Sequence, residues 1–198
     1  MKILIINGPP GAGKDCFVNC IKSHSYLSEY FVYNFSTVDR IKAIAEQCGW
    51  DGYKDEKGRQ LLSDLKDAFT NYNNLPYNDI IYKINQTLFK FRQFDIPTDN
   101  LVFFIHSREP KEIERFKEEL GAKALLIRRP GLILKYKNHA DRLVYNATYE
   151  YTYVNDKDLN GLEIDAKKFI EELIKEDWKS SGEDIDTPWD EERSSNGN

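Results

Sequence analysis

The stretch Lys2-Ile3-Leu4-Ile5-Ile6-Asn7-Gly8-Pro9-Pro10-Gly11-Ala12-Gly13-Lys14 decides how the rest of the chain is read. Residues 2–7 form a short β-branched, apolar run without polar alternation, the pattern of a strand covered on both faces in a parallel sheet. Gly8 and Pro9 end it, and Phe17, Val18 and Ile21 then recur at helical spacing. The order is strand, glycine-rich turn, helix. Gly8 with Gly13-Lys14 gives the GxxxxGK spacing of a Walker A loop, whose glycines let backbone N–H groups turn inward around phosphate oxygens. The helix behind such a loop adds the positive end of its dipole. The expected donor-nucleotide contacts are therefore Gly8, Gly11, Ala12, Gly13, Lys14, Asp15 and Cys16, with Lys14 reaching the terminal phosphates.

Asp15 departs from the pattern, which ordinarily has Ser or Thr here to ligate magnesium through its hydroxyl. A carboxylate binds that ion directly or through a coordinated water, so Asp15 is the candidate metal ligand; its other reading is a charge that favours the helix start. The hydrophobic run at 101–105 is followed by His106 and Ser107, where an acidic magnesium ligand is common in such proteins. His106 is read as touching phosphate or capping the strand.

Working outward, apolar runs at 30–35, 101–105, 124–127 and 151–154 read as further strands, with 101–105 as a central one. Between them lie helical patterns: Val38, Ile41, Ile44, Ala45 and Cys48; 58–69, with Leu61, Leu62 and Leu65; 77–91; 110–120, opened by Pro110 and closed by Gly121; and 163–175. Ser36 and Asp39 have capping-box spacing, and Gly49 follows the end of that helix. The aromatic residues between Tyr72 and Phe94 read as core at helical spacing, with stacking on a base as the alternative. Alternation of strands and helices predicts an α/β fold with a parallel sheet between two helical layers. One domain over 1–178 and an acidic tail over 179–198 are expected. That tail has too few apolar groups to offset the cost of ordering, with Trp189 its sole anchor.

The chain has 198 residues with 28 basic and 33 acidic side chains, net charge -5, and its Lys and Arg are dispersed, which argues against a nucleic-acid partner. A small phosphorylated ligand fits a local basic site better. The N-terminal apolar run is too short for a signal peptide or membrane span, so no membrane partner and a cytoplasmic location are expected. Cys16, Cys20 and Cys48 lack zinc spacing and read as buried free thiols in a reducing compartment. Monomer and homodimer both stay open.

A loop ending Gly-Lys-Asp in a chain of this size resembles the phage-type deoxynucleoside monophosphate kinases and the related animal-type phosphomevalonate kinases, adenylate-kinase-like proteins. Four further segments carry the first likeness. Residues 51–59 resemble that family's acceptor region; Ser107-Arg108-Glu109-Pro110 holds its arginine after the strand; Arg128-Arg129-Pro130-Gly131 resembles the arginine that opens its lid; Val154-Asn155-Asp156 resembles its Asn-Asp pair near adenine. The likeness spans about residues 1 to 175 and implies a three-layer P-loop nucleoside monophosphate kinase-like fold with a five-stranded parallel sheet. It also implies ATP and Mg2+ as cofactors and transfer of the ATP γ-phosphoryl group to a (deoxy)nucleoside monophosphate, giving the diphosphate. Lys14, Arg108 and Arg129 would then be catalytic; Arg128 and Asn155 would join the ATP site; Arg59, Lys54 and Arg108 would hold the acceptor phosphate, with Arg142 a lesser candidate. The alternatives are a kinase of another small phosphorylated metabolite, such as phosphomevalonate, and an ATP-binding regulatory protein with little turnover.

Overall fold

The computed structural model describes residues 1–25, 30–132 and 143–176. Its elements, in chain order, are β1 (Lys2–Asn7), α1 (Lys14–Ser25), β2 (Phe31–Ser36), α2 (Asp39–Gln47), α3 (Glu56–Asn73), α4 (Leu75–Gln93), β3 (Leu101–His106), α5 (Pro110–Leu120), β4 (Lys123–Arg128), β5 (Tyr151–Val154) and α6 (Leu159–Lys175). The strands form one five-stranded sheet in the order β2-β3-β1-β4-β5, and every pairing is parallel. The α/β class and the sheet expected from the sequence are thus present. The run at 101–105 is an interior strand, β3, paired on both sides, and β1 beside it holds the middle of the sheet.

Strand periodicity sorts the core into two layers. Ile3 and Ile5 of β1 and Phe103 and Ile105 of β3 face α4 and α5, where Ile80, Ile84, Ile113 and Phe116 meet them. Leu4 and Ile6, with Val102 and Phe104, face α1 and α6, packing on Phe17, Ile21, Ala166 and Ile170. All six residues of β1 are buried. An apolar run without alternation was the correct signal because both faces are covered.

Several boundaries differ from the sequence reading, each for a local reason. α6 starts at Leu159 rather than near 163, because Asp158 caps it by accepting the Gly161 N–H at 2.9 Å. α3 starts at Glu56 because Asp55 accepts the Gly58 N–H at 2.7 Å. Gly58 has no room for a side chain, since a Cβ would lie 2.2 Å from the Tyr53 carbonyl oxygen. Only half of the capping box forms before α2. Asp39 accepts from the Ser36 N–H at 2.9 Å, but the helix begins at Asp39 with Val38 as its cap residue and no side-chain cap bond. Cys48 is exposed and Cys16 and Cys20 are partly buried, so the expectation of buried thiols fails. Cys48 sits at the end of α2, past the packed face made by Ile41 and Ala45. The aromatic residues of 72–94 divide: Tyr77 and Phe91 are core, whereas Tyr72, Phe89 and Phe94 are exposed. Arg142, the 179–198 tail and Trp189 lie outside the described residues. No described helix is long and apolar enough to cross a membrane.

Candidate active site

From the central strand the chain leaves toward one side through α1 and β2, and later crosses to the other side through α5 and β4. A crevice therefore opens at the carboxyl ends of β1, β3 and β4, the place where open parallel sheets hold ligands. The loop from Gly8 to Gly13 lies there. Gly8, Gly11 and Gly13 have φ of +148°, +80° and +95°, values that suit glycine because it has no Cβ. A Cβ on Gly8 would lie 2.3 Å from the Ile127 carbonyl oxygen of β4, so the loop sits directly on the neighbouring strand.

The Lys14 ammonium is folded over the loop, donating to the Gly8 carbonyl at 2.6 Å and the Pro9 carbonyl at 3.0 Å. That fixes a positive charge above the cradle. The first N–H groups of α1 have no carbonyl one turn back and point into the same space. Asp15 projects outward with its side chain 88% exposed. Cys16 instead turns its thiol to Cys20, one turn along α1. Burial and the Cys16 contact raise the Cys20 thiol above its ordinary range, so what Cys16 offers a phosphate is its backbone.

Two residues that sequence reasoning did not single out brace the loop from beneath. Asn7 is fully buried; its Oδ1 accepts from the Gly8 N–H at 2.8 Å and its Nδ2 donates to the Tyr149 hydroxyl at 2.7 Å. Tyr149 in turn donates to the Val144 carbonyl, and burial pushes its phenol up to about 12, so it stays a donor at neutral pH. Asn155, given an adenine-side place by resemblance, is buried beside the loop, with its amide donating to the Ala12 carbonyl at 2.9 Å. Its backbone N–H donates to the Arg128 carbonyl at 2.7 Å. No spacing signal marks Asn7 or Tyr149, because they are joined only through the fold.

His106 ends β3 in register with Ile6 of β1. Its Nε2 is buried, has no hydrogen-bond partner among the described residues, and lies 3.7 Å from Asp15 Oδ1. Burial lowers its pKa to about 4; Lys14 and Arg108 push in the same direction, while the carboxylates of Asp15 and Asp39 oppose them. The ring is uncharged at pH 7. Lys14 and Arg108 thus both act electrostatically on this ring. Arg128 and Arg129 are exposed at the end of β4, and Leu132 just after them approaches to 3.4 Å of where a Gly11 Cβ would stand. Lys54 and Arg59 are exposed and joined to each other, the Arg59 Nε donating to the Lys54 carbonyl at 2.7 Å.

Bordering the 106–109 segment at Glu109 lies a cavity of about 580 Å³. Lys66 and Thr70 of α3, Tyr77 of α4, Glu112 and Arg115 of α5 and Asn146 line it, and Glu109 reaches it beside Arg108. A buried network forms its wall: Glu112 Oε2 accepts from Ser107 Oγ at 2.5 Å and from Lys66 Nζ at 2.9 Å. The Arg115 guanidinium lies 3.6 Å over the Tyr77 ring centroid. Lys54 and Arg59 are absent from this lining. Lys66 lies seven residues beyond Arg59, on the same face of α3, and that helical spacing was the available signal.

Loop, central strand and following helix give a parallel α/β fold with the strand–loop–helix arrangement of P-loop proteins. The chain is similar in structure to shikimate kinase from Aquifex aeolicus (TM-score 0.48, 8% identity, covering 86% of this chain and 95% of that one). It is also similar to a sugar kinase from Janibacter sp. HTCC2649 (TM-score 0.42, 10% identity, 86% and 95% covered). No protein-family model matches the sequence, and no curated protein does.

Proposed function

We propose that this protein transfers the γ-phosphoryl group of ATP to the phosphate of a (deoxy)nucleoside monophosphate. The observation that carries this reading is the 106–109 segment, which has His106 on the phosphate-loop side and Glu109 on the wall of the 580 Å³ cavity. Two ligand spaces, one built for phosphate and one of small-molecule size, adjoin across four residues.

Phosphoryl transfer needs donor and acceptor held in line and the charge of the moving group neutralised, and it needs no protein nucleophile. The backbone of 8–13 and the Lys14 ammonium would hold the donor's phosphates. Arg108, between loop and cavity, would orient the acceptor phosphate, and Arg129 or Arg128 would screen the outer side. Lys66, Lys111 and Arg115 give the cavity its cations, and Glu112 gives an acceptor for ring N–H groups. Lys54 and Arg59 remain candidates for the acceptor phosphate at the entry to α3. For the divalent cation, the exposed carboxylate of Asp15 is an oxygen donor beside the loop, which fits. A bound Mg2+ would supply charge neutralisation across the β- and γ-phosphates.

The test is incubation of the protein with ATP, Mg2+ and each common nucleoside and deoxynucleoside monophosphate, with diphosphate read by chromatography. Product with at least one acceptor is expected. ADP appearing only with other phosphorylated acids would reassign the acceptor, and tight ATP binding with no turnover across the panel would overturn the kinase reading.

A further inference from the structure

We propose that His106 is a nitrogen ligand of the divalent cation carried by the donor nucleotide, sharing that ion with Asp15. The inference rests on nucleotide binding at the loop. Its first ground is that the Nε2 atom is buried and has no hydrogen-bond partner among the described residues. A buried polar atom left this way costs free energy and calls for an explanation, such as an ion or ligand that completes it.

The second ground is geometry. Nε2 and Asp15 Oδ1 are 3.7 Å apart, beyond hydrogen-bonding distance. Two donors each about 2.1 Å from one ion stand roughly 3.0 to 3.4 Å apart in octahedral or tetrahedral coordination. The gap is a few tenths of an ångström, and Asp15, 88% exposed, can rotate to close it.

The surroundings leave few other candidates. Asp39 faces the same imidazole, but its Oδ2 accepts from the Ser36 N–H and its Oδ1 pairs with Lys42 Nζ at 3.3 Å. Lys14 and Arg108 are cations. Among the described residues no group of three or more His, Cys, Asp or Glu is gathered to hold an ion. Two protein donors must therefore be completed by phosphate oxygens and water, so the ion is held with the nucleotide and only weakly without it.

One imidazole in place of an oxygen donor changes which ion is preferred. Nitrogen donors favour Mn2+ and Co2+ over Mg2+, which prefers an oxygen shell. The nucleotide complex should bind Mn2+ at least tenfold more tightly than Mg2+, and His106→Gln should weaken Mn2+ about tenfold while changing Mg2+ by less than about threefold.

The deciding measurement is pulsed electron–nuclear double resonance on protein labelled with [15N]histidine, loaded with Mn2+ and β,γ-methylene-ATP. That analogue has no nitrogen in its phosphate chain. A 15N coupling in the wild type that survives His24→Gln and His139→Gln assigns the nitrogen to His106, since the chain has three histidines. This holds even if His106→Gln does not fold; where it folds, the coupling should vanish. Calorimetric binding of the analogue without any 15N coupling overturns the inference and leaves the kinase reading standing. Failure of the analogue to bind overturns nucleotide binding itself and the inference with it.

Discussion

The side-chain amide of Asn155, just past β5, donates to the carbonyl of Ala12 in the phosphate loop at 2.9 Å, joining residues 143 positions apart. The same nitrogen stands 2.3 Å from where a Cβ on Gly13 would lie. The strand at one edge of the sheet thus sets the shape of a loop on its central strand. Asn155→Ala should remove a buried hydrogen bond worth about 1 kcal/mol and loosen the loop, lowering ATP affinity about tenfold by calorimetry. Gly13→Ala should be worse, and adding Asn155→Ala to it should restore only part of the loss. The double change relieves the side-chain clash, while Gly13 keeps its φ of +95°.

Lys14 is held over the cradle by two carbonyls of its own loop. Under the kinase reading, Lys14→Met keeps the stem and removes the charge. It should cost kcat about 10³-fold, the loss typical of a charge-stabilising donor, with the melting temperature within a few degrees of wild type. Steady-state rates beside a thermal melt check this. An unchanged kcat would remove Lys14 from the chemistry.

The Lys66–Glu112 pair spans α3 and α5 with both side chains almost covered, 12% and 11% exposed. Removing one partner strands the other in a place of low dielectric. Lys66→Met alone should therefore destabilise by about 3 kcal/mol, whereas Lys66→Met with Glu112→Leu should recover most of that. Urea melts of the three variants give the coupling directly; additive losses would show that the pair is not coupled.

Glu150 supplies the pH dependence. Burial by itself would raise its pKa, but hydrogen bonds from Lys117 and from the Ala124 N–H outweigh it and hold the carboxyl below its ordinary 4.5. Its Oε1 is 2.7 Å from Lys117 Nζ and its Oε2 is 2.6 Å from the Ala124 nitrogen. A carboxylate whose pKa is depressed by folding stabilises above its unfolded pKa, and loses that contribution as pH falls through the folded value. Glu150→Gln should therefore be less stable than wild type by about 1 kcal/mol at pH 7. The gap should shrink as pH drops below 4.5 and through the depressed folded value, read from melting temperatures on the acid side. A gap independent of pH would mean that shape, not charge, holds the strand start.

The strand, glycine-rich turn and helix were legible in the sequence because the residues that form them are local, although Asn155 and Tyr149, which brace the turn, are not. Glycines, lysine and the flanking strand and helix fall within residues 2–25, and the structure keeps that order. The all-apolar strands were legible for a similar reason, since burial on both faces leaves no alternation to misread. What was hidden depends on contacts across the chain. Asn7 and Tyr149 are 142 residues apart. Lys66 and Glu112 carry no motif, and His106 reads as touching phosphate or capping the strand, with nothing in the sequence to show that its Nε2 is buried opposite Asp15. Lys54 and Arg59 stand at the entrance of α3 by resemblance, whereas which turn of α3 faces the cavity depends on how that helix packs on α5.

α3 buries no residue except Gly58, although it gives Lys66, Asp67 and Thr70 to the cavity wall. Most of its surface carries little of the energy that folds the chain, so substitutions there are tolerated more readily than in β1 or β3. Under the kinase reading, natural selection or a mutagenesis library can vary this helix to explore new acceptors while the loop on β1 is inherited unchanged.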